Sequence, residues 1–161
     1  MTVLRVTLAG TDLSAPRKQE LARRLIDAFA EIEVGRSSPE IRAGFVVHIE
    51  QVPPGDLWMG DRPMVESGAA GRVAIVSARV MAGPWSRAMK SQLFARLEAI
   101  VREVAEMPVQ GAGADFWMTI VEVPESAWGL GGRPVSIGSL APVFSEDRQA
   151  RIRAYLDAIE D

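Results

Sequence analysis

The sequence predicts one α/β (α+β) domain over residues 1–161, in which two β-α-β repeats form a four-stranded sheet with two helices on one face, plus a C-terminal helix. Three observations lead there. The first is a duplicated block. Phe45-Val-Val-His-Ile-Glu-Gln-Val-Pro53 aligns with Phe116-Trp-Met-Thr-Ile-Val-Glu-Val-Pro124, and each run is followed by a tryptophan, a glycine and Arg-Pro. With one residue inserted between Pro53 and Trp58, the later pairs are Trp58 with Trp128, Arg62 with Arg133, and Pro63 with Pro134. The second is that Lys18, Leu21, Arg24 and Leu25 fall opposite Lys90, Leu93, Arg96 and Leu97. The third is that both copies open on a short apolar, β-branched run, which suits a buried strand.

Taken in order, Val3 to Ala9 reads as the first strand and stops at Gly10. Ser14 is the expected N-cap of the first helix, because a serine hydroxyl accepts an otherwise unpaired N–H, and Pro16 lacks the donor that a helix start leaves unused. Leu21, Leu25, Ala28, Phe29 and Ile32 then recur on one helical face, with Gly35 as terminator. The second strand alternates, with Phe45, Val47 and Ile49 on one side and Val46, His48 and Glu50 on the other.

Asp61 to Gly71, rich in Pro, Gly, Ser and Ala, reads as a connector over 61–72 that hinges repeat one (1–63) to repeat two (73–140). Val73 to Met81 is the next strand, ending near Gly83, and Met89, Leu93, Leu97, Ile100, Val101 and Val104 stripe the second long helix. Ser145 opens the C-terminal helix, 145–160, with Ile152, Tyr155, Leu156 and Ile159 on one stripe. Right-handed crossovers make each repeat's strands parallel and put both helices on one sheet face. The other face is then partly apolar and predicts association, most simply a symmetric oligomer.

Composition narrows the function. With 18 basic and 21 acidic residues the net charge is −3, too weak a field to draw in nucleic acid or an anionic membrane. No cysteine is present, which removes thiolate nucleophiles, thiolate metal sites and disulfides together. One histidine, His48, makes no metal site, and Gly129, Gly131 and Gly132 precede Arg133-Pro134 rather than a helix, unlike a phosphate loop. No cofactor is expected. No secretory leader or membrane span is visible, so cytoplasmic residence is the expectation.

The run Glu122-Val-Pro-Glu-Ser-Ala-Trp-Gly-Leu-Gly-Gly132 resembles the second-strand ending of 4-oxalocrotonate tautomerase and its relatives in the tautomerase superfamily, where a Glu, a spacer and an aromatic precede Gly-x-Gly-Gly. Gln51-Val-Pro-Pro-Gly-Asp-Leu-Trp-Met-Gly60 is a weaker copy. The resemblance implies the double-length, fused form of that family and a homotrimer in which the glycine-rich tails reach neighbouring subunits. It also implies chemistry by an N-terminal proline, whose secondary amine works as a general base or acid in an apolar pocket. This chain departs from that pattern. Met1 and Thr2 stand at its head, Val73 heads the second copy, and the positions of the family's carboxylate-binding arginines fall on Thr11 and on Val46 or Trp117.

Several residues are candidates to fill those roles. Thr2, once exposed by removal of Met1, offers an α-amino group of ordinary pKa about 8, usable as a base or for a Schiff base. Arg5 and Arg79, unusual within strands, are candidates for binding a substrate carboxylate, with Arg36 and Arg42 behind them. Trp58 and Trp128 are candidates to line a pocket for a planar ligand, as Trp packing would also explain. His48 reads as a surface strand residue able to titrate near neutrality. Two functions fit: a tautomerase, isomerase or hydratase acting on a small enol or keto acid without the proline base, or a catalytically inactive trimer that binds a small carbonyl or carboxylate ligand or serves in assembly.

Overall fold

The computed structural model describes residues 1–66, 71–108 and 115–160. β1 (Thr2–Ala9) runs into α1 (Ala15–Phe29), which ends in one π-helical turn, Ala30–Val34, and stops at Gly35 with φ 90°. A short helix, α2 (Pro39–Arg42), leads to β2 (Phe45–Val52). The two-residue strands β3 (Trp58–Met59) and β4 (Arg62–Pro63) then form a small hairpin. β5 (Val73–Met81), α3 (Arg87–Val104), β6 (Phe116–Val123) and a hairpin of β7 (Gly129–Leu130) and β8 (Arg133–Pro134) repeat the pattern. α4 (Ile137–Leu140) and α5 (Glu146–Glu160) close the chain.

The sheet order is β2-β1-β5-β6, parallel within each repeat and antiparallel where β1 meets β5. This register makes the repeats two-fold related. Thr2 pairs with Phe45 in the first and Ala74 with Phe116 in the second, so the counterpart of Thr2 is Ala74. The sequence places Val73 there. The backbone agrees with the register: the Thr2 N–H donates to the Gly44 carbonyl at 3.3 Å, and the Ala74 N–H to the Asp115 carbonyl at 2.8 Å.

Strand alternation puts Leu4, Val6, Leu8, Ala74, Val76, Ala78 and Val80 under α1 and α3, where they meet Leu21, Leu25, Phe29, Leu93, Leu97 and Val101. Each large side chain so buried stabilises the fold by roughly 1.5–3 kcal/mol. The opposite face stays open, with Val46 57% and Val121 50% exposed beside Arg5, His48 and Arg79.

Three local expectations change. Ser14 occupies the N-cap of α1 but its side chain caps nothing, whereas Ser86 accepts from the Met89 N–H at 3.2 Å and caps α3. Ile159 is 48% exposed, because α5 lies across the end of the sheet and its last turn passes beyond it. In the connector, Met64 is buried against Ala9 and Val73, which anchors its start; positions 67–70 lie outside the described residues. The glycine-rich tails fold as hairpins, since Gly131 and Gly132, both at positive φ, make the tight two-residue turn between β7 and β8.

Candidate functional site

The two heads of the repeats lie at opposite ends of the antiparallel β1/β5 pair, and they are built differently. At the head of β1, Thr2 is buried and its hydroxyl donates to Glu33 Oε2 at 2.7 Å. Glu33 comes from the π-helical turn ending α1, which brings its side chain to the buried side of the helix. It is 1% exposed, and Oε1 has no hydrogen-bond partner among the described residues. Burial disfavours the carboxylate and pushes Glu33 up to about 7, against the downward pull of the Met1 amino group and of the Thr2 hydroxyl.

Two cavities flank this pair and share Met1 and Gly44 in their walls. One, of about 190 Å³, is apolar, formed by Val34, Ile41, Phe45, Leu140 and Phe144 with Glu40 at its edge. The other, of about 160 Å³, is lined by Thr2, Val3, Val46, Trp128 and Leu130. The Met1 amino group stands 4.0 Å from Met81 Sδ. Among the described residues, no arginine or lysine lines either cavity.

The C-terminal segment covers this end. Ile137, Phe144 and Ile152 pack with Val34 and Met81, and Met1, Trp128 and Tyr155 complete the cluster. Polar contacts fasten the segment to the turn that carries Glu33. The Ser145 N–H donates to the Val34 carbonyl at 2.9 Å, Arg148 Nε to the Ile32 carbonyl at 3.3 Å, and Arg36 to the Val143 carbonyl at 2.9 Å. On the other side, the Glu125 N–H donates to the Tyr155 hydroxyl at 3.1 Å, and Glu125 accepts from the Ile137 N–H at 3.1 Å.

The head of β5 carries no such polar pair. Ala74 stands in place of Thr2, and Ala105, buried, stands where the Lys18-to-Lys90 spacing puts the counterpart of Glu33. Asp115, the counterpart of Gly44, makes a buried bidentate pair with Arg102 at 2.8 and 3.0 Å. That hydrogen bonding raises the Arg102 guanidinium further above its ordinary value. The cavity at this end, about 210 Å³, is walled by Asp12, Arg17, Arg72 and Glu106; Arg17 pairs with Glu106, Arg72 donates to the Ala105 carbonyl, and Asp12 accepts from the Gln51 side chain.

Of the candidates from sequence, Thr2 and Trp128 come together at the head of β1. Trp58 is at the other end, 59% exposed, its indole N–H donating to the Gly55 carbonyl at 2.6 Å. Arg5 lies mid-strand on the open face and pairs with Glu50 at 2.6 Å. Arg79 is exposed on that face, paired across the sheet with Val3, which lines the second cavity. Arg42 pairs with Asp27 at 3.0 Å, and His48 is exposed. Glu33 escaped the sequence reading because it belongs to a helix end. Its spacing carried a signal: it falls four residues after Phe29 and eight after Leu25, on the apolar stripe.

Among the described residues no group of three metal-ligating side chains converges, and no helix is long and apolar enough to cross a membrane. No protein-family model and no curated protein matches the sequence. Solved structures do match in fold. Native fused 4-OT superposes with a TM-score of 0.64 at 22% identity, covering 82% of this chain and 94% of its own. Pt0534 inactivated by 2-oxo-3-pentynoate gives 0.62 at 17%, covering 86% and 98%. The macrophage migration inhibitory factor-like protein of Entamoeba histolytica gives 0.61 at 13%, covering 83% and 98%. The chain thus has the fused tautomerase-superfamily fold, and fused 4-OT has been seen as a trimer.

Proposed function

We propose that this chain is a tautomerase-superfamily protein that moves a proton on a small enol or carbonyl compound at the head of β1, working without a proline base and as a homotrimer. The observation that carries this reading is the coincidence of an amino group and Trp128 beside paired apolar cavities at that one end. In a chain that starts at Thr2, the α-amino group is a primary amine at the head of the strand. Such an amine can donate or accept the proton of a tautomerisation. Trp128 supplies a flat apolar wall for a conjugated ligand. Arg79, across from Val3, is the better placed of the two strand arginines to meet a carboxylate at the rim. Trimer formation is supported by the apolar residues of the open sheet face and by the trimeric fused 4-OT neighbours.

The second reading is a catalytically inactive trimer that binds a ligand or serves in assembly. It is favoured by the lack of a basic side chain in either cavity wall. Ketonisation of phenylenolpyruvate, followed by ultraviolet absorbance together with the intact mass of the purified chain, separates the two. Turnover by a chain beginning at Thr2, reduced at least tenfold when Met1 is retained, supports the enzyme. Absence of turnover across a panel of enols leaves the binding module. Sedimentation checks the assembly: a trimer is expected at micromolar concentration, and Val121→Asp on the open face should shift it to monomer.

A further inference from the structure

We infer that Glu33 is a positioning residue: it is the buried counter-ion of the α-amino group carried by a chain that begins at Thr2, and it holds that amine in its proton-donating form. The inference deepens the reading of the head of β1 as a proton-transfer site. Its chemistry rests on that reading, whereas the pairing itself does not.

Four observations carry it. Glu33 is enclosed, with Oε2 on the Thr2 hydroxyl at 2.7 Å and Oε1 without a hydrogen-bond partner among the described residues. A buried oxygen in that state destabilises a fold, so it calls for a partner. Covalent geometry points to one. The Thr2 nitrogen is three bonds from Oγ1, which places it within about 6.5 Å of Glu33 Oε2 whatever the rotamer. With Met1 attached, that nitrogen is an amide that donates to the Gly44 carbonyl at 3.3 Å. Loss of Met1 makes it an ammonium with three donors, one for Gly44 and the others available to the carboxylate. The same loss opens the site. Met1 and Gly44 are the residues that the two cavity walls share, so the amine bonded to Gly44 is left where the cavities meet. Finally, the other repeat lacks both halves of the pair. The nitrogen of its strand head, Ala74, is locked in an internal amide, and a buried Ala105 stands in place of Glu33. The carboxyl is present at the one head where a free amine can arise.

The Met1 amino group already pulls Glu33 down against the effect of burial. By reciprocity the carboxylate favours the cationic amine. Two unit charges about 6 Å apart, at an effective dielectric of about 20, move each other's midpoints by roughly two pH units. The other charged groups on neighbouring elements have partners elsewhere. Arg148 of α5 holds Asp147 and the Ile32 carbonyl, Arg96 of α3 holds Glu31 at 2.5 Å, and Arg36 donates to the Val143 carbonyl. Glu40 of α2 accepts from Ser38 at 2.8 Å, and the Tyr155 hydroxyl of α5 accepts from the Glu125 N–H. An amine so held delivers a proton to a bound enol. The N–H bond breaks, and the C=C electron pair takes that proton onto the enol carbon. The enol O–H proton leaves to solvent while its electron pair completes the carbonyl, and solvent returns a proton to the amine.

The test uses the full chain with Thr2 at its head, freed from a cleavable N-terminal fusion and checked by intact mass, as wild type, Glu33→Gln and Glu33→Ala. Each carries 13C-labelled threonine, and the Thr2 Cα and Cβ signals are followed from pH 5 to 10.5. The amine midpoint of wild type should lie at least one pH unit above that of both variants. A smaller difference overturns the pairing. The pH profile of phenylenolpyruvate ketonisation reads the chemistry. In both variants the alkaline limb of kcat should move down with the amine midpoint, with KM within threefold. A limb that stays in place while the midpoint moves overturns the proton-donating role and leaves the tautomerase reading standing. If wild type turns over no enol, the tautomerase reading fails, and the Thr2 titration still decides the pairing.

Discussion

The heads of β1 and β5 occupy equivalent places in two copies of one fold, yet they solve opposite problems. At the head of β5, Asp115 and Arg102 fill the space beneath the sheet with a bidentate ion pair, and the helix junction closes on Ala74 and Ala105. At the head of β1, Gly44 leaves that space open to two cavities, and the junction holds Thr2 and Glu33. One copy satisfies its buried charge fully; the other keeps a carboxyl short of partners. A duplicated architecture can thus pair its buried charge in one half and keep a titratable carboxyl enclosed in the other.

The comparison is broken most severely by disarming the stable half. Asp115→Ala leaves the buried Arg102 guanidinium with only Glu98 and the Pro108 carbonyl among the described residues and should cost about 3 kcal/mol, measured by urea unfolding. The reverse operation belongs to the other end. Because the Glu33 carboxyl is raised to about 7 from an ordinary 4.5, the folded chain keeps a proton that the unfolded chain has released between those values. Stability is therefore full below about pH 4.5, falls as pH rises through 7, and ends about 3 kcal/mol lower. Glu33→Gln should abolish that fall, which urea midpoints from pH 4 to 8.5 will show. A Thr2→Ala/Glu33→Ala double variant, copying the other repeat, should likewise be flat with pH.

The smallest contrast concerns the helix starts. Ser86→Ala removes a cap that accepts from the Met89 N–H and should cost about 1 kcal/mol. Ser14→Ala removes a side chain that caps nothing and should stay within about 0.5 kcal/mol. Thermal unfolding of the two variants side by side will read the difference. Equal losses would mean that the two helix starts do not differ in the way their geometry indicates.

Much of the fold was legible because strand and helix periods are local. The alternation of Phe45, Val47 and Ile49 and the stripe from Met89 to Val104 appear in the structure as read, facing the core. The site was legible only in outline. Thr2 and Trp128 meet, but no periodicity could separate Trp128 from Trp58, whose hairpins follow strands running in opposite directions. Glu33 could be read as a charge on an apolar stripe, yet its partner lies thirty-one residues away in the chain. The contrast between Asp115 and Gly44 is hidden too, since in sequence they are merely an acid and a glycine before two similar strands.

The sequence by itself determined that the chain is duplicated, which segments are strands and helices, and which faces are apolar, because each follows from the spacing of side chains along a few turns of backbone. Only the tertiary structure decided which ends of the sheet those segments share. It made Ala74 rather than Val73 the counterpart of Thr2, and laid α5 over the head of β1. It also enclosed a carboxyl whose hydrogen-bond partner among the described residues is one hydroxyl. Burial and partnership are properties of what arrives from elsewhere in the chain, and desolvation turns an ordinary glutamate into a group that exchanges its proton near neutrality.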